Sequence, residues 1–215
     1  MPFDNTAEQK SATEMIVENT VKLDLLKKKA TLGYCRHNIV NPGFKMIEKR
    51  WNDRTAQDDA VKKLKQSLET HGSQISKDTS AIPIGLEPSW IAEDSLVQSM
   101  EGLFPNEVPM LKLSKDGERA AEAGKIEVFQ GGHRKQATTA LYNKAVDTQK
   151  RCEKSLTRIE KKKEGDFEEE IQKWNELKRK AIKDQAKYSI WSYCIINTSR
   201  FYPPQVDQST DRRSY

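Results

Sequence analysis

The feature that most constrains the fold of this 215-residue chain is the stretch from residue 144 to residue 187, in which 24 of 44 positions are charged. Such a stretch cannot fill a hydrophobic core, because buried charges must be paired. Its few apolar residues still recur at helical spacing on both sides of Gly165. The pattern predicts two charged amphipathic helices folded into an antiparallel hairpin, with one long helix as the alternative.

The core must therefore come from the rest of the chain. The first thirty residues have helical spacing, and a second helix is predicted after Thr55 and Asp58, which have capping-box spacing, and before Gly72. Four short apolar runs, rich in β-branched residues, are predicted strands: residues 81–86, 108–113, 125–129 and 188–196. Pro83 predicts that the first of these is an edge strand or lies outside the sheet.

These elements predict an α/β (α+β) fold, with a small mixed sheet and flanking helices. We expect an N-terminal helical segment over residues 1–32 and one domain over residues 33–197 that contains the helical hairpin as an insertion at 144–187. Residues 198–215 are polar and are predicted to be a tail or linker.

Composition narrows the class of protein. No window approaches the roughly 18 apolar residues that a membrane-spanning helix needs, and the N-terminus lacks the pattern of a signal peptide. We therefore expect a cytoplasmic or nuclear protein with no membrane partner. The net charge of +5 permits binding to polyanions without requiring it.

The cysteines and histidines do not suggest a metal centre. The three cysteines and three histidines lack the spacing of zinc ligands, so no metal ligand is assigned. Cys35 and His37 would share one face of a strand and form a candidate nucleophile pair, but we favour a structural, buried Cys35.

The clearest chemistry lies in residues 125–145, where a strand pattern changes to a helix pattern across Gly131 and Gly132. Glycines at such a joint let backbone N–H groups turn towards one point, which the positive end of the following helix dipole also faces. In the first helical turn, Arg134 can grip phosphate oxygens in a fork and His133 can add a donor or a proton. These four residues form a candidate phosphate site, and the alternative is a simple tight turn with a solvated arginine.

The seven residues Gly131 to Ala137, G-G-H-R-K-Q-A, resemble the phosphate-binding box of the ParB/sulfiredoxin superfamily, which reads G-C-H-R-x-x-A in sulfiredoxin and G-E-R-R-x-x-A in ParB proteins. The resemblance implies a ParB N-terminal-like domain in which the box joins a strand to a helix and binds nucleotide phosphates. The implied ligand is CTP or ATP/ADP, with Mg²⁺ as a further candidate cofactor.

The chain upstream of the box also resembles the superfamily. An arginine-containing segment with Arg50 and Arg54 precedes the helix predicted at Asp58, as in the family's order of motifs. The resemblance makes Arg50 and Arg54 candidate nucleotide-binding residues. Acidic ligands for Mg²⁺ are not singled out among Glu127, Asp53 and Asp58.

Departures from the family limit what the resemblance implies. Gly132 stands where sulfiredoxin has its nucleophilic cysteine and ParB has a glutamate, so thiol chemistry of the sulfiredoxin kind is not expected. ParB's downstream E-N-x-x-R-type motif and its helix-turn-helix are also missing. An NTPase or phosphotransferase activity is the enzymatic candidate, with no catalytic residue assigned. The alternative is a non-catalytic interaction module that binds protein or nucleic acid through the hairpin at 144–187.

Overall fold

The computed structural model describes residues 25–48, 57–72, 77–162 and 165–201. The strands are β1 (Thr31–Asn38), β2 (Met46–Glu48), β3 (Ile82–Leu86), β4 (Ile126–Val128) and β5 (Ile190–Asn197). The helices are α1 (Asp58–His71), α2 (Lys115–Glu122), α3 (Gly132–Glu160), α4 (Glu168–Ser189) and the short α5 (Thr198–Phe201). Residues 25–30 are also helical, and single 3₁₀ turns occupy Asp78–Ser80 and Pro88–Trp90.

The five strands form one mixed sheet in the order β1-β5-β3-β4-β2. The pairs β1–β5 and β3–β4 are antiparallel, whereas β5–β3 and β4–β2 are parallel. β3 is buried along its whole length and β5 along all but its first residue, as expected of strands covered on both faces. The protein therefore belongs to the mixed α+β class, as the sequence predicted.

Helices cover one face of the sheet and an irregular segment covers the other. On the first face, Ile84, Tyr193 and Ile195 form a core with side chains that include Leu68 of α1 and Leu141 of α3. The opposite face of β5 packs against the segment between β3 and α2 through a smaller cluster of Cys194, Ile196, Met100, Val108 and Phe129. The sheet is therefore the wall between two apolar layers.

The predicted helical hairpin is confirmed. α3 and α4 run antiparallel, with Gln185 Nε2 donating to Gln149 Oε1 at 2.6 Å and Lys178 Nζ lying 3.1 Å from Glu153 Oε1. Gly165 lies between the helices with φ of 124°. The first arm is not separate from the helix that follows the glycine pair, because α3 continues unbroken for 29 residues from Gly132.

The prediction of an edge position for the strand with Pro83 was wrong, since β3 lies in the middle of the sheet. The carbonyl oxygen of Pro83 accepts from the N–H of Phe129 at 3.0 Å, just beyond the end of β4 at Val128. The nitrogen of Pro83 faces the same side as this carbonyl. The missing N–H donor therefore falls where the β3–β4 ladder ends, and a central strand tolerates the proline.

The prediction of a strand over residues 108–113 was also wrong. This segment makes only isolated bridges, from Met110 to Arg36 and from Leu113 to Ile91. Pro109 lacks the N–H that a continuous ladder would use, although its carbonyl accepts from the N–H of Arg36 at 2.7 Å.

The two segments predicted to flank the domain, residues 1–32 and 198–215, are only partly described. The first residues of the predicted polar tail form α5, where Thr198 Oγ1 donates to Glu87 Oε1 at 2.6 Å and the Ser199 hydroxyl donates to the same carboxylate. Residues 1–24 and 202–215 lie outside the described residues, as does Thr55 of the predicted capping box. α1 begins at Asp58 after Gln57, which makes no side-chain cap, and it ends before Gly72 as predicted.

Within the described part of the chain, every helix is too short or too polar to cross a membrane.

Candidate functional site

The glycine pair lies between a strand and a helix, as the sequence predicted. β4 ends at Val128, the chain turns through Phe129 and Gln130, and α3 begins at Gly132. Gly131 is the N-cap of α3, and its carbonyl accepts the N–H of Lys135 at 2.9 Å. The N–H groups of Gly132, His133 and Arg134 precede this first helical bond, so they point out of the helix end together with its positive dipole.

Gly131 has a conformation and a position that other residues fit poorly. Its φ is 120°, a region that side-chain-bearing residues rarely adopt. A Cβ atom at this position would lie 2.9 Å from Cγ2 of Ile82 in the central strand β3. The turn therefore packs directly on the core, which fixes the direction in which α3 leaves the sheet.

His133 joins the start of α3 to the start of α1. The N–H of Gln57, the N-cap of α1, donates to Nε2 of His133 at 3.1 Å. Because Nε2 accepts this bond, the proton of the neutral imidazole is on Nδ1, which remains as its donor. The N-termini of two helices thus meet at one imidazole, a contact that nothing in the sequence pattern indicated.

Arg134 is a half-buried cation. Its burial lowers the pKa of the guanidinium, which nevertheless stays protonated as arginines do in proteins. Among the described residues, we find no carboxylate and no hydrogen-bond acceptor paired with this side chain. The backbone carbonyl of Arg134 is fixed by Thr138 Oγ1, which donates to it at 2.7 Å. A partly desolvated charge with no partner in the described part of the chain is a candidate binding group for an anion.

The other candidate phosphate-binding residues are not described. Arg50 and Arg54 lie in residues 49–56, which are outside the described residues, and so does Asp53. Arg54 stands three positions before Gln57 in the sequence, and Gln57 is the residue that contacts His133. Of the candidate acidic ligands, Asp58 is the first residue of α1 and Glu127 lies on β4.

The glycine pair lines a small cavity, and a larger cavity adjoins that one at Pro42. The smaller, of about 30 Å³, lies beneath Gly131 and Gly132 and is lined mainly by apolar side chains such as Ile82 and Tyr193. This volume is far below the roughly 300 Å³ of ordinary ligand pockets. The larger, of about 530 Å³, shares Pro42 with the smaller one.

A third cavity, of about 420 Å³, lies between α1, α3 and α4. Its charged lining includes Lys144, whose Nζ lies 2.7 Å from Glu69 Oε1. Lys144 is ten residues along α3 from Arg134, roughly 15 Å away, so this cavity is separate from the candidate phosphate site.

Cys35 is a buried core residue, as the structural interpretation expected. Its side chain is fully buried, and burial raises the pKa of the thiol well above its usual range. His37 Nε2 donates to the carbonyl oxygen of Pro42 at 2.7 Å, so this nitrogen does not serve the thiol as a base. Within the described ranges, no group of three or more His, Cys, Asp or Glu residues is arranged to hold a metal ion.

Comparison with protein-family models, with curated proteins and with solved structures finds no match to this chain.

Proposed function

We propose that this protein binds nucleotides by their phosphates at the N-terminus of α3, as a domain of ParB/sulfiredoxin type. The observation that carries the proposal is Arg134, a half-buried cation with no partner among the described residues, in the first turn of a helix. Gly131 and Gly132 precede it at the end of β4, the place in the fold that the resemblance implies.

Each residue of the box has a distinct part in this proposal. Gly131 turns the chain, and the backbone N–H groups of Gly132 and His133 face the bound phosphate with the helix dipole behind them. Arg134 offers a planar fork of N–H donors to two phosphate oxygens. His133 accepts from Gln57 through Nε2 and so offers Nδ1–H as a further donor. If Arg50 and Arg54 bind nucleotide as well, they add charge from the segment before α1.

Binding, rather than turnover, is the core of the proposal. Hydrolysis or phosphoryl transfer would use Arg134 to stabilise charge on the transferred group, and Mg²⁺, if bound, would supply further positive charge. The described residues assign no general base to such a step. Gly132 carries no thiol, so repair chemistry of the sulfiredoxin kind is not proposed.

Calorimetric titration with ATP, CTP and ADP, each with and without Mg²⁺, tests the proposal. We expect at least one nucleotide to bind the wild-type chain and Arg134→Ala to weaken it at least tenfold, because a charge-assisted hydrogen bond contributes about 1.5–3 kcal/mol. The matched control is Arg158→Ala, an exposed arginine in the last turn of the same helix that removes the same charge. Equal losses in both variants, or no binding in the wild type, would contradict the proposal.

The second candidate function is partner binding by the hairpin of α3 and α4. It is favoured by Ile171 and Ile182, which are 38% and 47% exposed and lie eleven residues apart, or three turns of α4, and so on one face. An exposed apolar pair in so charged a helix suits a protein partner better than nucleic acid. Replacing both by serine should abolish capture of such a partner and leave nucleotide titration unchanged.

A further inference from the structure

The cavity between α1, α3 and α4 has no part in the proposed phosphate site. Its volume of about 420 Å³ is within the range of small-ligand pockets, about 300–1,000 Å³. Part of its lining is apolar, because Leu141 of α3 and Ala181 of α4 are buried core residues that border it. Leu177 of α4, which is 39% exposed, extends this apolar surface towards solvent. The apolar part of a small molecule therefore has a surface to contact.

Tyr188 adds a phenol to the same cavity. The residue is only 7% exposed and lines the cavity, and its hydroxyl makes no hydrogen bond within the described structure. Burial raises the pKa of the phenol, and the nearby carboxylates of Asp184 and Glu69 raise it further, so the group stays a neutral donor and acceptor. The hydroxyl oxygen is not among the sealed, unpartnered atoms of the described structure, so a molecule in the cavity can reach it. A buried tyrosine hydroxyl normally has a hydrogen-bond partner, and here a ligand can supply one.

The part of the lining contributed by α4 has unpaired charges of both signs. Among the described residues, Lys180, Lys187 and Asp184 make no ion pair and no hydrogen bond through their charged groups. Lys187 Nζ lies 5.0 Å from the centre of the Tyr188 ring, beside the phenol. Asp184 is one helical turn from each lysine, so the three charged groups share one side of α4.

This mixture of charges restricts the class of ligand. A ligand with only negative charge satisfies the two lysines and is repelled by Asp184, and a ligand with only positive charge does the reverse. Across the cavity, Lys144 and Glu69 already neutralise each other, with Nζ and Oε1 2.7 Å apart. A small molecule that carries one charge of each sign on neighbouring atoms can pair with both kinds of free group.

We propose that this cavity binds a small zwitterion with an apolar side chain, of the class of the apolar α-amino acids. The ligand's carboxylate pairs with Lys180 and Lys187 and accepts from the hydroxyl of Tyr188. Its ammonium group donates to the carboxylate of Asp184, and its side chain covers the apolar part of the lining. This site goes beyond the proposed phosphate site and does not depend on it, since the two lie roughly 15 Å apart along α3.

Titration of the ¹⁵N-labelled full chain with L-phenylalanine tests the proposal. We expect saturable shifts that are largest for the amide signals of Ala181, Asp184 and Tyr188. Hydrocinnamate and phenethylamine are the same molecule without its ammonium and without its carboxylate, respectively. Each should bind at least about fivefold more weakly, because each loses a charge-assisted hydrogen bond. Free glycine, which has both charges and no side chain, should also bind more weakly.

Conservative variants test the individual contacts. Asp184→Asn should remove the advantage of phenylalanine over hydrocinnamate and keep its advantage over phenethylamine. Its matched control is Asp147→Asn, an exposed carboxylate of α3 outside the cavity. Tyr188→Phe should weaken phenylalanine binding by at least about threefold, whereas Tyr142→Phe, a half-buried tyrosine of α3 that does not line the cavity, should not.

Three results would overturn the amino-acid site. These are the absence of saturable shifts with phenylalanine, equal binding of the two single-charge analogues, and an advantage over hydrocinnamate that survives in Asp184→Asn. None of them affects the phosphate site, which is judged by titration of the same chain with triphosphate. Triphosphate binding should be unchanged in Asp184→Asn and in Tyr188→Phe.

Discussion

The turn before α3 depends on the absence of a side chain at Gly131. The residue combines a φ of 120° with a core contact, whereas Gly102 has a φ of 81° and open space where a Cβ would lie. These two glycines therefore separate the cost of backbone conformation from the cost of crowding.

We expect Gly131→Ala to lower the free energy of unfolding by about 2 kcal/mol, because the strained φ and the clash with Ile82 add. Gly102→Ala should lower it by only about 1 kcal/mol, from the backbone term alone. Denaturant unfolding of both variants measures the difference. Equal losses would mean that the contact with Ile82 relaxes and that the turn is not held by the core.

The residues of the box were the part of the site most accessible from sequence. The box is a local signal, made of glycines, a histidine and an arginine between a strand pattern and a helix pattern. Its residues are adjacent in the sequence, so they can be recognised without knowledge of the fold. The contact between His133 and Gln57 joins residues 76 positions apart, and no periodicity encodes it. The same holds for the lining of the larger cavity, since His37 and Glu118 are distant in sequence.

Among elements, helices were predicted better than strands. The arms of the hairpin, the turn at Gly165 and the end of α1 before Gly72 followed from spacing and glycine. β1 and β2 were not predicted, and the edge position predicted from Pro83 was wrong. The place of a strand in a sheet depends on its neighbours rather than on its own residues. α2, whose glutamates line the larger cavity, was also missed.

The start of α1 depends on a contact from another element, the imidazole of His133 in α3. His133→Ala should remove the acceptor of the Gln57 N–H and destabilise the first turn of α1 by about 1 kcal/mol. Amide hydrogen exchange should then accelerate at Gln57 and in that turn but not at the end of α1. Gln136→Ala, an exposed position in the same region of α3, is the control, and identical exchange in the two variants would show that His133 does not stabilise α1.

At the scale of the whole molecule, the protein is a small sheet with one long helical arm attached. The base of the arm is part of the core through Leu141 and Ala181, whereas its distal part is held by contacts between α3 and α4, such as Lys178 with Glu153. The proposed phosphate site lies at the opposite end of α3. The arm and the site are therefore expected to be separable.

Replacing residues 153–178 by a short glycine-containing turn should leave a folded domain whose nucleotide affinity is within about twofold of the full chain. The reason is that the sheet, α1 and the first turns of α3 keep their contacts. Circular dichroism and the same calorimetric titration measure the two properties. Loss of nucleotide binding in a shortened chain that still folds would show that the arm takes part in the site.

We propose that phosphate binds where β4 passes into α3, and residue-resolved NMR can locate the bound phosphate. Titrating the ¹⁵N-labelled full chain with inorganic triphosphate should shift the amide signals of Gly131, Gly132, His133 and Arg134 most strongly, and these shifts should disappear in Arg134→Ala. Shifts centred instead on Lys144 and the other residues of the cavity between α1, α3 and α4, or no shifts at all, would contradict the account.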